Sequence, residues 1–141
     1  MRRLSAALVG LVATTAIVAA ATPPASAAGK LSACTTSDKG AVGGMQYAWK
    51  SKSEMDVALS LADDRRDGAY PRIRLDITTG TGKRHTFPWR ELRDGYGSSK
   101  TWKTSASHKD GIVTARVQVE NVRGSSPLAT CYSSKEHNIY Y

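Results

Sequence analysis

The residues best suited to chemistry lie in three stretches. Asp63-Asp64-Arg65-Arg66-Asp67-Gly68 is the densest group of carboxylates, and it invites comparison with a calcium loop of the D-x-[DN]-x-[DN]-G kind. With Asp63, Asp67 and Gly68 aligned, Arg65 falls where an oxygen ligand belongs, and the distal glutamate is missing. A guanidinium cannot ligate a cation. The stretch therefore reads as a turn whose carboxylates are neutralised by their own arginines. Asp63, Asp64, Arg65 and Asp67 make it a charged loop suited to contacting a partner.

The second stretch offers acid–base groups. Glu91, with Arg90, Arg93 and either His85 or His108, supplies the types a secreted nuclease needs: a general base and acid beside cations that hold a phosphate. Their spacing forms no motif. There is no G-x-S-x-G, and Cys34 and Cys131 read as an oxidised pair, which removes a thiolate nucleophile. None of His85, His108 and His137 has a cysteine, histidine or carboxylate at zinc-like spacing, so neither metal nor cofactor is expected. The chain is expected not to be an enzyme, with a small hydrolase as the alternative. A protease inhibitor presenting the 95–99 loop is the other alternative, weakened by the lack of a disulfide near that loop.

The third stretch interleaves cations with aromatics. Arg72 and Arg74 share the polar side of one segment, and Arg84, Trp89, Arg90, Arg93, Tyr96 and Trp102 follow, among Lys83, Lys100 and Lys103. Rings beside guanidinium groups bind sugars, nucleobases or acidic peptide. These eight arginines and aromatics are the expected binding residues. The competing reading buries Trp49, Trp89 and Trp102 in the core and leaves the cations as a solvated exterior.

The elements that must position these groups have period two. Met55, Val57, Leu59 and Leu61 alternate with Asp56, Ala58 and Ser60. Ile73, Leu75 and Ile77 alternate with Arg72, Arg74, Asp76 and Thr78, and Val113, Ala115, Val117 and Val119 with Thr114, Arg116, Gln118 and Glu120. Asp67-Gly68, Gly80-Thr81-Gly82 and Asp110-Gly111 supply turn chemistry between them. Weaker strands are expected at 45–50, 84–87, 101–105 and 130–132, with 138–141 as a last edge strand. Pro88 lacks the donor a central strand needs, which places its segment at an edge or a strand end. No stretch carries an apolar stripe of helical period. About seven short strands predict an all-β, immunoglobulin-like two-sheet sandwich, with a small β-barrel as the alternative.

The N-terminus reads as an export signal: Arg2-Arg3, an apolar run from Leu4 to Ala21, then Pro23-Pro24 and Ala25-Ser26-Ala27. Cleavage is expected after Ala27 or Ala28, leaving no membrane anchor and one β domain over 28–141. Loss of the two leader arginines takes the formal charge from +8 to about +6, which favours an anionic partner: an extracellular protein, a glycan or a charged polymer. Nucleic acid fits the charge, but no motif supports it. An even number of cysteines in an exported chain predicts the Cys34–Cys131 disulfide, tying the two ends of the domain together.

Over 59–119 the chain resembles small secreted proteins of actinobacteria. The residues that carry the likeness are Ala62–Gly68 (A-D-D-R-R-D-G), Arg72–Leu75 (R-I-R-L), Pro88-Trp89-Arg90 and Asp110-Gly111-Ile112, together with the Ala-rich leader. Some proteins of that kind are adaptor subunits of large secreted antibacterial toxin particles, bridging a scaffold and a lectin. Most proteins of that kind have no assigned activity, and an adaptor in an extracellular complex is the form that the resemblance suggests for the non-catalytic binding module expected from the residues.

Overall fold

The structure is a computed structural model, and it describes residues 29–141. The leader expected over residues 1–27, with its cleavage site, lies outside the described residues. Ten strands form β1 (Lys30–Thr35), β2 (Ala41–Trp49), β3 (Glu54–Asp63), β4 (Tyr70–Thr79), β5 (Arg84–Thr86), β6 (Arg90–Glu91), β7 (Ser99–Ser107), β8 (Ile112–Arg123), β9 (Ser126–Tyr132) and β10 (Glu136–His137). They make two antiparallel sheets that do not close into a barrel, and the described residues contain no helix. Sheet A has the order β1-β2-β3-β7. In sheet B, β8 and β4 are the central pair, flanked by β9 and β10 on one edge and by β5 and β6 on the other.

The period-two pattern explains the layers. Met55, Val57, Leu59 and Leu61 of β3 face Ile73, Leu75 and Ile77 of β4 and Ala115, Val117 and Val119 of β8, and all are buried. Gly43 on the inner side of β2 lets the sheets come together: a Cβ there would lie 2.6 Å from a Val119 methyl and 3.1 Å from Cδ1 of Ile73. Trp49 and Trp102 pack against this core and Trp89 does not.

Cys34 on β1 and Cys131 on β9 are bonded, with Cα atoms 6.1 Å apart and a sequence separation of 97. The bond therefore joins sheet A to sheet B as well as segments near the two ends of the described residues.

Three expectations need correction. There are ten strands rather than about seven, because residues 84–91 form two very short ones, because β10 has no apolar residue, and because β1 turns Ser32 and Cys34 inward while Leu31 faces solvent. β3, β4 and β8 are also long, at 10, 10 and 12 residues. The final strand lies at Glu136–His137 rather than 138–141. There Asn138 turns the chain, donating its side-chain amide to the carbonyls of Ser51 and Ile112 at 2.9 and 2.8 Å.

Candidate functional site

The polar side of the central pair in sheet B carries the cationic residues. The register sets Arg72 opposite Glu120, Arg74 opposite Gln118, Asp76 opposite Arg116 and Thr78 opposite Thr114, so two sequence alternations become one grid of side chains. Arg72 donates from Nε to Glu120 at 2.8 Å. Gln118 donates to the same carboxylate at 2.9 Å and accepts from Nε of Arg74 at 2.9 Å and from Arg84 at 3.3 Å. Arg84 and Arg116 each donate from Nε to a different oxygen of Asp76, both at 2.8 Å.

Long arginine side chains laid flat over the sheet cover the shorter groups beneath. Although they point away from the core, Asp76, Gln118 and Glu120 are only 4%, 5% and 6% exposed. Removal from water pushes the Asp76 carboxyl up, but the hydrogen bonds from Arg84 and Arg116 outweigh this and hold it below the usual carboxylate range.

Rings cap the grid at both ends. Pro88 cannot donate to the ladder, and the edge of β4 is accordingly split between β5, opposite Asp76–Thr78, and β6, opposite Arg72 and Ile73. Across that gap Phe87 turns inward against the core, while the Trp89 ring lies 4.3 Å from the guanidinium carbons of both Arg72 and Arg74. At the other end the Arg116 guanidinium lies 4.2 Å from the Tyr132 ring. Four guanidiniums face two carboxylates, and Arg74 pairs with no carboxylate among the described residues.

The expected binding residues divide between several places. Arg72, Arg74, Arg84 and Trp89 meet in this network. Arg90 is exposed on β6. Arg93 pairs with Glu91 at 2.8 Å and lies over Tyr70 at 3.8 Å. Tyr96, just over half exposed, is approached by Arg66 at 5.0 Å. Trp102 belongs to the other sheet, with Lys100 5.5 Å from its ring. Sequence reasoning missed Asp76, Arg116, Gln118, Glu120 and Tyr132 as partners. The alternation of Arg116, Gln118 and Glu120 was the available signal, but only the register shows whom they face.

The acidic turn is built differently from expectation. Arg65 reaches Asp67 only at 3.9 Å. Instead the buried Asn121 amide donates to Asp38 at 2.9 Å and to Asp67 at 3.0 Å, while Arg65 and Arg123 donate to the backbone carbonyls of Asp38 and Asp67. Asp63 is buried and Asp64 exposed. Among the described residues no three histidine, cysteine or acidic side chains group as a metal site needs.

Of the nuclease candidates, Glu91 meets Arg93 but not His85. Glu91 stands opposite Arg72 and His85 opposite Ile77, about 16 Å apart at roughly 3.3 Å per residue of strand. The His85 and His108 rings do meet, 4.9 Å between centres.

Fold and site together define an all-β two-sheet sandwich with a cationic, ring-capped outer face. The chain matches no protein-family model, no curated protein and no solved structure.

Proposed function

We propose that this chain is an exported, non-catalytic interaction module that holds an anionic partner on the outer face of sheet B. The observation that carries the reading is the Trp89 ring, set 4.3 Å from two guanidiniums of which one, Arg74, has no carboxylate partner among the described residues. A grid already tied by hydrogen bonds loses little side-chain freedom when a ligand settles on it, so contact energy is retained as affinity. Stacked guanidinium and indole surfaces suit acidic peptide and charged glycan alike. The disulfide and the expected leader support a place outside the cell. An adaptor role in an extracellular complex, as the actinobacterial resemblance implies, is the form of this reading with a protein partner.

The test is capture of anionic polymers and acidic proteins from the producing culture's medium by the immobilised chain. Arg74→Ala with Trp89→Ala is expected to reduce the captured material about tenfold or more, given roughly 0.5–2 kcal/mol for each cation–ring contact plus the lost charge. Equal capture by this double variant and by the unaltered chain would remove the outer face as the binding surface.

A further inference from the structure

Beyond Asp76 the grid opens into a concavity of about 230 Å³. Thr78 and Thr114, cross-strand partners, form its base, Arg84 and Arg116 line it, and Lys135 enters from the link between β9 and β10. Gly82 in the β4–β5 turn also lines the cleft, and a Cβ there would meet nothing within 4 Å.

The donors are arranged for an occupant. Both oxygens of Asp76 are engaged by the Nε atoms of Arg84 and Arg116, so the carboxylate fixes the two guanidiniums while leaving terminal N–H groups for other partners. Among the described residues, the terminal nitrogens of Arg116, the Lys135 ammonium and the Thr78 and Thr114 hydroxyls have no hydrogen-bond partner. Three cations against one carboxylate leave the cleft with a positive balance.

We propose that this cleft is a binding site for a phosphoryl group, with Arg84, Arg116 and Lys135 supplying charge and Thr78 and Thr114 supplying hydroxyl donors. A planar carboxylate offers two oxygens in one plane. A tetrahedral phosphoryl group holds its oxygens out of any one plane, three free in a monoester and two free beside two ester oxygens in a diester, and it can meet donors that arrive from two strands, a turn and a separate segment at once. The volume is roughly eight times the ~30 Å³ share of a liquid water, room for the anion and the first atoms of its carrier. The assignment deepens the anionic-partner reading and depends on it for its use outside the cell, while its chemistry stands on the cleft alone.

The disulfide-bonded chain, labelled with ¹⁵N, is titrated with glycerol 3-phosphate, with poly(glycerol phosphate) and with glucuronate, following the side-chain N–H signals of Arg84 and Arg116. Saturable shifts with either phosphate probe are expected, about tenfold weaker or more in Lys135→Ala and in Thr114→Val, as the loss of one charge-assisted contact predicts. Saturation by the monoester points to a soluble phosphate ester, and saturation by the polymer alone to a phosphodiester chain. Lys135 is on an exposed segment, so its variant carries the test if Thr114→Val unfolds. The cleft is overturned if neither phosphate probe saturates, if the variants titrate like the unaltered chain, or if glucuronate binds as tightly. Failure here with capture still lost in the Arg74/Trp89 double variant sinks the cleft alone. Saturation here with capture intact in that variant sinks the wider face alone.

Discussion

Two buried aspartates show how partners decide the outcome when burial pushes both carboxyls up. Asp76 loses water but gains two guanidinium donors, and its carboxyl is held below the usual range. Its contribution to stability is therefore present above the unfolded value of about 3.9 and is lost as pH falls through the lower folded one. Asp76→Asn is expected to cost about 1–3 kcal/mol at neutral pH, since both arginines lose a charged acceptor. The cost should vanish at strongly acidic pH, and urea midpoints at the two conditions check it. Asp63 loses water and faces Asp67 and Asp64, and burial and those like charges push its carboxyl up despite the Arg65 backbone N–H that it accepts. The sign is reversed: its contribution is present at low pH and lost as pH rises through the folded value. Asp63→Asn keeps an acceptor for that N–H and should raise the melting temperature at pH 7 but not at pH 3. A lower melting temperature at pH 7 would contradict this account.

Among the elements, β2 and the C-terminal segment set the spacing and closure of the sandwich. Gly43 is on a strand, where glycine is ordinarily a weakness, yet a side chain there would push against Val119 and Ile73 across the core and against Leu61 on the neighbouring strand. Gly43→Ala is expected to cost about 1–3 kcal/mol by overpacking, read from denaturant unfolding. At the other end of the chain, Tyr47 donates to Glu136 at 2.7 Å, and burial, then the Glu136 carboxylate, pushes the Tyr47 phenol well up. Ser32 donates to the Ser134 carbonyl at 3.2 Å and Asn138 closes the β10 turn. Asn138→Ala strips the Ile112 carbonyl of this donor and should cost about 1–3 kcal/mol. Faster hydrogen exchange confined to residues 133–141 and to the start of β8 would localise the loss.

For the molecule as a whole, the Cys34–Cys131 bond closes a loop of nearly the entire described chain. In the chain-entropy model such a loop is worth about 4–5 kcal/mol, comparable with the net stability of a small domain. Replacing both cysteines with alanine is expected to lower stability by about 2–5 kcal/mol, a fall in melting temperature of several degrees per kcal/mol. An unchanged melting temperature in that variant would place the stability in the sheets alone. The two binding proposals should survive this change at low temperature, because neither face nor cleft includes a cysteine.

The sequence by itself determined what depends on period and local chemistry. Alternation in Met55–Leu61, Arg72–Thr78 and Val113–Glu120 fixed three strands and their buried sides, Asp67-Gly68 and Asp110-Gly111 marked turns, and the cysteine pair named its only intramolecular partner. Pro88 foretold an edge, and the Arg-Ile-Arg spacing foretold that Arg72 and Arg74 share a face. Only tertiary structure decided who stands beside whom. That Arg116 meets Asp76, that Trp89 covers two arginines while Trp102 joins the other sheet, and that Asn121 binds the carboxylates of Asp38 and Asp67 all follow from strand register and sheet order. Those contacts join residues tens of positions apart, and no local pattern encodes a pairing that packing across the whole sandwich selects.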